Sequence, residues 1–181
     1  LLDIGIEWIY PDDEQSYIAC NITAQQISER LAGQHGRITA VYITRPDYLG
    51  NIQDIAAIAR ACHEHGALLS VDNAHGAYLK FMPTPMHPMD LGAVICCDSA
   101  HKTLGVITGG AYLHISVSAP AVLAERAKAS FSVFGTSSPS YLILQSLDAA
   151  NGTTEAFRNE LRTFLPAADA LKAKLAAHGF E

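Results

Sequence analysis

A chain of 181 residues is long enough for one domain with a substantial core and too short for two ordinary domains. Apolar residues make up 49% of it and charged residues 17%, a balance that excludes an intrinsically disordered chain. The net charge of −6 argues against binding to nucleic acid or anionic membranes, and every apolar stretch is shorter than the roughly 20 residues of a membrane span.

The cysteines indicate a reducing compartment. The chain has four of them: Cys20, Cys62, Cys96 and Cys97. The last two are adjacent on a predicted strand, where side chains alternate between faces, so they form a poor framework for disulfides. The spacing of His63, His65 and these cysteines does not match a metal site. We therefore expect a cytoplasmic protein without a bound metal.

The first predicted element is a strand over residues 1–10, which the chain enters partway along, so we expect the chain to be part of a longer domain. A helix then begins after Thr23, whose side chain can form a capping box with Gln26. This helix is predicted to run through Leu31, with Gly33 placed to end it.

A strand–helix–strand unit follows over residues 39–44, 52–65 and 68–71, with Gly66 placed to end the helix. This order predicts a right-handed crossover between two parallel strands. The strands are almost continuously apolar, which is typical of a parallel sheet covered by helices on both faces. The predicted fold class is therefore α/β with a mostly parallel sheet.

The second half of the chain alternates loops and strands before it becomes helical. Three prolines mark residues 80–90 as a loop, because proline cannot continue a helix. Strands are predicted over residues 93–97 and 110–115. Helices are predicted over residues 120–129, 141–150 and 154–178, and Pro166 is a point at which the last one could break.

Two polar turns follow neighbouring predicted strands. The sequence VDNAHG at residues 71–76 ends one strand, and DSAHKT at residues 98–103 follows the next. Ligands of open α/β sheets lie beyond the carboxyl ends of the strands, so Asp72 and Lys102 could face a single ligand. A carboxylate that keeps a pyridine ring protonated and an amine that forms a Schiff base are what pyridoxal phosphate chemistry requires.

The two turns resemble those of fold-type I pyridoxal phosphate enzymes. Three more motifs make the chain similar to the ornithine/lysine/arginine decarboxylase family: TRPDYLG at residues 44–50, TGGA at residues 108–111 and TSSPSY at residues 136–141. The resemblance covers about residues 38–148. It implies that residues 1–150 are part of an incomplete, aminotransferase-like large domain. Residues 151–181 would form a helix leading toward a C-terminal domain outside the chain.

The resemblance also implies roles for individual residues of the two turns. Lys102 would form the Schiff base with pyridoxal 5′-phosphate, and Asp72 would pair with the protonated ring nitrogen. Ala74 would lie under the ring, and His75 near its phenolic oxygen. Lys102, Asp72 and His75 are thus the expected catalytic residues. The alternative for Lys102 is a solvated turn lysine, and taken alone Asp72 could equally be a turn acid at a strand end.

The remaining expected cofactor contacts are polar side chains of several turns. By resemblance, Ser99 and His101 contribute to the phosphate cup, and Thr44 lines the cofactor pocket. Thr136 and Ser137 belong to a segment that would reach the phosphate of a neighbouring subunit, so a homodimer or higher homo-oligomer is expected. Hydroxyl groups at a helix start can bind an anion, but they can also simply cap the helix.

The expected function is decarboxylation of a small basic amino acid: ornithine, lysine or arginine. One alternative is another fold-type I enzyme, an aminotransferase or acyltransferase. A second is a truncated, non-catalytic scaffold domain. Asp47 keeps two interpretations, since it could line the cofactor pocket or cap the following helix.

Overall fold

The computed structural model describes residues 4–11, 21–34 and 36–180. Its sheet contains four strands: β1 (Ala40–Thr44), β2 (Leu68–Asp72), β3 (Ile95–Asp98) and β4 (Tyr112–Ile115). The α-helices of the described residues are α1 (Ala24–Ala32), α2 (Ile55–Glu64), α3 (Ala100–Thr103), α4 (Ala121–Phe134), α5 (Tyr141–Gly152) and α6 (Thr154–Ala177).

The strands lie in the order β1-β2-β3-β4, and the first three run parallel. Strand β4 pairs with β3 in the antiparallel direction. This arrangement confirms the predicted α/β class with a mostly parallel sheet. The carboxyl ends of β1 and β2 are aligned, because Thr44 is in register with Asp72, and Asp72 is in register with Cys97 on β3.

Helices α1 and α2 pack together against one face of the sheet. The core includes residues from both helices and from β2: Ile27, Ile55, Ile58, Leu69 and Val71. Burying an aliphatic side chain of this size contributes about 1.5–3 kcal/mol. Alternation places Asp72 on the opposite face, together with Tyr42, which is 65% exposed. In the described residues, the face that carries Asp72 is therefore the more open one.

The N-terminal prediction is partly confirmed. The Thr23 hydroxyl accepts a hydrogen bond from the Gln26 backbone nitrogen, and the Gln26 side-chain oxygen accepts one from the Thr23 backbone nitrogen. This is the predicted capping box at the start of α1, and Gly33 follows the end of the helix. The predicted strand over residues 1–10 is wrong where it can be seen, because residues 4–11 form neither strand nor helix. They contact α1 instead, where Arg30 donates to the backbone oxygen of Trp8. Residues 1–3 lie outside the described part.

The start of α2 corrects one interpretation of Asp47. The helix begins at Ile55 because Asp54 caps it, accepting a hydrogen bond from the Ala57 backbone. Asp47 instead binds within its own turn, where Oδ1 accepts from the backbone nitrogens of Leu49 and Asn51 at 2.9 Å. Capping of the following helix by Asp47 was therefore wrong.

The later elements follow the predicted order with different limits. Two short 3₁₀ helices, Ala77–Phe81 and Pro88–Leu91, lie in and before the proline-rich loop. The second has proline at its first position, where the missing N–H is tolerated. Helix α4 continues five residues beyond the predicted end at 129, and α6 remains helical through Pro166. Of the helices that the structure describes, none is long and apolar enough to cross a membrane.

Candidate functional site

The structure brings Lys102 and His75 together. Lys102 lies in α3, directly beyond the end of β3, and His75 lies in the turn that follows β2. Because the two strands are parallel neighbours, their ends lie side by side, and Lys102 Nζ is 3.1 Å from His75 Nε2. An exposed amine and an imidazole thus lie within hydrogen-bond distance of each other at the carboxyl edge of the sheet.

The His75 ring is otherwise incompletely satisfied. Its Nδ1 atom is buried and has no hydrogen-bond partner among the described residues. The ring also makes an edge contact with Tyr48, with 5.0 Å between ring centroids. A buried polar atom without a partner costs free energy, so this atom is available to a ligand group or a water molecule.

The Asp72 carboxylate is held from two sides. Oδ1 accepts a hydrogen bond from the Ala74 backbone at 2.9 Å, and Oδ2 accepts one from the Tyr42 hydroxyl at 3.2 Å. Burial and the Asp72 charge raise the pKa of Tyr42 to about 12, so its phenol remains a donor at neutral pH. The thiol of Cys97 lies 3.8 Å from Oδ1. Sequence analysis missed Tyr42, although the parallel register places it on the same face as Asp72.

The expected phosphate-binding residues occupy different surroundings. Ser99 precedes α3, and its hydroxyl makes no capping hydrogen bond. His101 Nδ1 contacts the Gly110 carbonyl at 3.0 Å, which uses one of its ring nitrogens inside the chain. Thr44 ends β1 beside Asp72 in the sheet register. The phosphate contacts expected for Ser99 and His101, and the expected place of Thr44 in the cofactor pocket, stay predictions.

Thr136 and Ser137 lie on an exposed loop between α4 and α5. The Thr136 hydroxyl accepts a hydrogen bond from the Ser138 backbone at 3.0 Å. Within the described ranges, no observed hydrogen bond joins this loop to the Lys102 turn. Their expected position at a neighbouring subunit also stays a prediction.

A second polar cluster lies on the other face of the sheet, where sequence analysis assigned no role. The buried Asp98 side chain ends β3 and accepts hydrogen bonds at Oδ2 from His87 Nε2 and His114 Nε2, each at 3.0 Å. Its Oδ1 atom accepts from Asn73 Nδ2 at 2.7 Å. Asn73 directly follows Asp72, so this cluster touches the turn that carries the candidate site.

The protons of this cluster can be assigned from its hydrogen bonds. The Met89 backbone donates to His87 Nδ1 at 3.3 Å, so that nitrogen is an acceptor and the proton lies on Nε2. Burial favours a higher pKa for Asp98, but the hydrogen bonds from two imidazoles and an amide outweigh it and hold the pKa well below its usual range. Asp98 is therefore an ionised carboxylate surrounded by donors.

These three residue types also meet the spacing of a metal site, since the ligand atoms of His87, Asp98 and His114 lie within 4.8 Å of one another. A metal-binding histidine normally donates its second ring N–H to an acceptor. His87 faces the Met89 N–H instead, which is the opposite polarity. The arrangement fits a hydrogen-bond network better than a metal centre.

A cavity of about 200 Å³ lies beside the cluster. Its lining includes apolar residues and the charged cluster: Ala77, Phe81, Phe157, His87, Asp98 and His114. His114 is partly exposed, whereas His87 is buried. The pairing of β4 with β3 is the one signal that could have pointed to His114 as a member of this cluster, because it places His114 opposite Cys96. His87 lies in a loop, and no strand register indicates its position.

Two curated relatives are similar to most of this chain. The uncharacterized protein YaaO of Bacillus subtilis is 34% identical over 150 residues, which cover 81% of this chain and 31% of that protein. An arginine decarboxylase of Halalkalibacterium halodurans is 31% identical over 145 residues, covering 79% of this chain and 29% of that protein. The chain therefore spans about three-tenths of the length of the curated relatives it matches.

Two solved structures share the architecture. A pyridoxamine–pyruvate aminotransferase from Mesorhizobium loti is 26% identical with a TM-score of 0.57, over 85% of this chain and 41% of that one. A serine palmitoyltransferase from S. paucimobilis, solved with bound PLP, is 16% identical with a TM-score of 0.71, over 88% and 42%. The second likeness concerns the fold alone. The predicted fold-type I, aminotransferase-like architecture is thus confirmed.

The family described as Orn/Lys/Arg decarboxylase, major domain, matches residues 7–177. The matched segment contains both polar turns, the four strands of the described sheet and all of the helices named above. It also confirms the resemblance that the sequence motifs indicated. The chain belongs to the ornithine/lysine/arginine decarboxylase major-domain family.

Proposed function

We propose that the protein carrying this chain removes carbon dioxide from a basic amino acid, using pyridoxal 5′-phosphate. The observation that carries the proposal is the 3.1 Å contact between Lys102 Nζ and His75 Nε2, at the strand end next to Asp72. Family membership and the similarity to arginine decarboxylases support the reaction type.

The residues at the strand ends fit this cofactor. Lys102 offers an exposed primary amine, and the small Ala74 stands between Asp72 and His75 in the sequence. The unpartnered Nδ1 atom of His75 leaves a polar group for a ligand. When bound, pyridoxal phosphate supplies an electron sink that stabilises the carbanion left by the departing carbon dioxide.

Asp72 would hold a proton on the ring nitrogen of the cofactor. A carboxylate favours the protonated form of a neighbouring base, and typical effects on the pKa are on the order of 1–3 units. The hydrogen bonds from the Tyr42 hydroxyl and the Ala74 backbone orient the Asp72 carboxylate. This part of the chain therefore supplies a fixed negative charge.

His75 would accept a proton from Lys102. An amine acts as a nucleophile only in its neutral form. The Nε2 atom of His75 lies within hydrogen-bond distance of the lysine nitrogen, so a proton can pass directly between them. Lys102 would hold the cofactor through its amine, Ser99 and His101 are the candidate contacts for the phosphate, and Thr44 would line the cofactor pocket.

Arginine is the first substrate to test, because several of the similar curated proteins are named arginine decarboxylases. Ornithine and lysine remain in the proposal as alternative substrates. They differ from arginine in the head group and in the length of the side chain. Transamination is the second candidate function, supported by 26% identity to an aminotransferase. It yields a keto acid and retains the carboxyl group, so released carbon dioxide separates the two reactions.

We also propose a homodimer in the cytoplasm. Large apolar side chains on both sides of the Thr136–Ser137 loop are more than half exposed: Phe131, Phe134, Tyr141 and Leu142. Large apolar side chains exposed close together in the sequence are typical of protein interfaces. The free thiols of Cys62, Cys96 and Cys97 agree with a reducing compartment.

Borohydride trapping tests the proposal. The full-length protein is incubated with pyridoxal phosphate, reduced and mapped by peptide mass spectrometry, and release of carbon dioxide from arginine, lysine and ornithine is measured. We expect the adduct on Lys102 and loss of both signals in Lys102→Ala. Lys80→Ala is the matched control, because Lys80 pairs with Asp90 elsewhere on the surface. An adduct on Lys80 would contradict the assignment.

A further inference from the structure

We infer that Asp98 is a positioning residue for the candidate site, acting through Asn73. The inference rests on the proposed function and adds the group that sets the relative position of the two site turns. Asp98 lies on the core face of the sheet, opposite to the face that carries Asp72, so its own side chain does not need to reach the reacting atoms.

Asp98 belongs covalently to one of the turns. It is the last residue of β3 and is followed by Ser99, which precedes the helix that carries Lys102. The backbone orientation at Asp98 therefore sets the position of the helix that carries Lys102. Two imidazoles fix that orientation, because His87 and His114 both donate to Oδ2 at 3.0 Å.

Asn73 belongs to the other turn. Its side chain is fully buried, and its Nδ2 atom donates to Asp98 Oδ1 at 2.7 Å. Its backbone nitrogen donates to the Cys97 carbonyl at 2.9 Å, and its carbonyl accepts from Gly76 at 2.8 Å. Asn73 is thus tied to β3 by backbone and side chain, and it lies between Asp72 and Ala74.

The Asn73–Asp98 contact is the one side-chain hydrogen bond observed between the two turns on the core face in the described ranges. On the open face, Lys102 and His75 meet through exposed or partly exposed groups. Buried hydrogen bonds with an ionised acceptor are stronger than exposed ones. The core contact therefore holds the spacing on which the 3.1 Å Lys102–His75 contact depends.

A swap of the two side chains tests this role. In Asp98→Asn, the charge is lost and one amide must face both the Asn73 amide and the two imidazole N–H groups. Either a pair of donors is opposed, or the Asn73 amide must turn over and place its NH2 group beside Gly76, where its Oδ1 atom now lies. In the double variant Asn73→Asp with Asp98→Asn, the new amide donates to residue 73 while its oxygen accepts from both imidazoles. The swap restores the complementary pairing with nearly the same atoms.

The measurements are made on the full-length protein. They are the fraction of Lys102 recovered as borohydride adduct, the circular dichroism of the bound cofactor, kcat and KM, and the unfolding temperature without cofactor. Asp98→Asn should lower the adduct fraction and reduce kcat by about 10- to 100-fold with a smaller change in KM, since displacements near 1 Å have effects of this size. The double variant should recover most of both signals.

Ile58→Ala is the matched control for lost stability. Ile58 is buried in α2 and belongs to neither turn, so this variant should unfold at a lower temperature while its adduct fraction stays normal. If Asp98→Asn behaves as Ile58→Ala does, with normal labelling and a normal cofactor spectrum, the positioning role is wrong and Asp98 is only structural.

Two further outcomes overturn the inference in different ways. Absence of a Lys102 adduct in the wild-type protein would contradict the proposed function itself, and the positioning role would fall with it. Zn²⁺ that raises the unfolding temperature of the wild type but not of Asp98→Asn would show that the cluster binds an ion. The donor assignment at His87, on which the swap depends, would then be wrong.

Discussion

At the scale of single residues, the contacts of Asp72 allow its charge to be tested apart from its shape. Both of its oxygens accept hydrogen bonds from fixed donors, one of them the Tyr42 phenol whose pKa is raised to about 12. An asparagine could keep the contact with the Ala74 backbone but would carry no charge. Substitution there separates electrostatics from packing.

We expect Asp72→Asn to reduce turnover by about 10- to 1,000-fold while cofactor binding changes little, because losing a contact charge shifts a neighbouring pKa by on the order of 1–3 units. Steady-state kinetics and the visible spectrum of the bound cofactor measure the two effects. The same chemical change at the exposed helix cap, Asp54→Asn, is the control and should leave turnover unchanged. Near-normal decarboxylation by Asp72→Asn would make Asp72 a turn residue only.

The ionised state of Asp98 predicts a loss of stability in acid. Its pKa is lower in the folded chain than the usual value near 3.9 for an unfolded aspartate. The unfolded state therefore binds the proton first as the pH falls, and the stabilisation present above about pH 4 is lost progressively below it.

Denaturant unfolding measured from pH 6 to pH 2 should show this loss, and Asp98→Asn should flatten the pH dependence whatever its absolute stability. Asp169→Asn, at an exposed position on α6, should retain the wild-type slope. Equal slopes in wild type and Asp98→Asn would mean that the Asp98 pKa is not depressed by folding.

At the scale of elements, the turn after β2 depends on a close approach at Gly76. A Cβ atom added there would lie 2.1 Å from Asn73 Oδ1 and 2.7 Å from Pro46 Cδ. Both neighbours are held in place. The Asn73 side chain is held by the hydrogen bond from its Nδ2 atom to Asp98, and Pro46 is held by its ring. The glycine is therefore required by space.

We expect Gly76→Ala to lower the free energy of unfolding by about 1–3 kcal/mol, the usual range for overpacking. Urea unfolding followed by circular dichroism measures the change. Gly105→Ala is the control, because nothing lies within 4 Å of its added Cβ. Equal stabilities of the two variants would show that the turn can move away at little cost.

Sequence patterns predicted the elements well where the signal is local. Apolar periodicity identified α2, and the capping box located the start of α1 at Thr23. The strand predicted over residues 1–10 failed because a strand needs a hydrogen-bonded neighbour, which composition does not reveal. Asp72 and Lys102 could be named as site residues from the sequence because each lies in a polar motif at the end of a predicted strand.

Tyr42, His87 and His114 could not be assigned roles from sequence, because each acts across the fold. Tyr42 reaches Asp72 from 30 positions earlier in the chain, and His114 reaches Asp98 from the antiparallel strand. His87 depends on the path of a proline-rich loop. Only the strand register and the loop path bring these side chains to their partners.

At the scale of the whole molecule, exposed apolar residues predict self-association. Phe134 and Leu142 are 66% and 68% exposed, and they flank the loop expected to meet a second subunit. Water contact with side chains of this size is unfavourable, and burying each one would contribute about 1.5–3 kcal/mol.

We expect a concentration-dependent dimer in sedimentation velocity, and a shift toward monomer in the double variant Phe134→Glu with Leu142→Glu. Phe164→Glu on α6 is the matched control, since it also replaces an exposed apolar side chain, and it should leave the distribution unchanged. A dimer that persists in the double variant would place the interface elsewhere.

The thiol of Cys97 bears on the choice between competing nucleophiles. Burial and the nearby Asp72 carboxylate both raise its pKa, so the sulfur next to the site stays protonated at neutral pH. A protonated thiol adds slowly to carbonyl compounds and resists alkylation and oxidation. The Asp72 carboxylate, which is proposed to keep the ring nitrogen protonated, would thus also suppress the reactivity of the Cys97 thiol beside it. The carbonyl chemistry would then be left to the Lys102 amine.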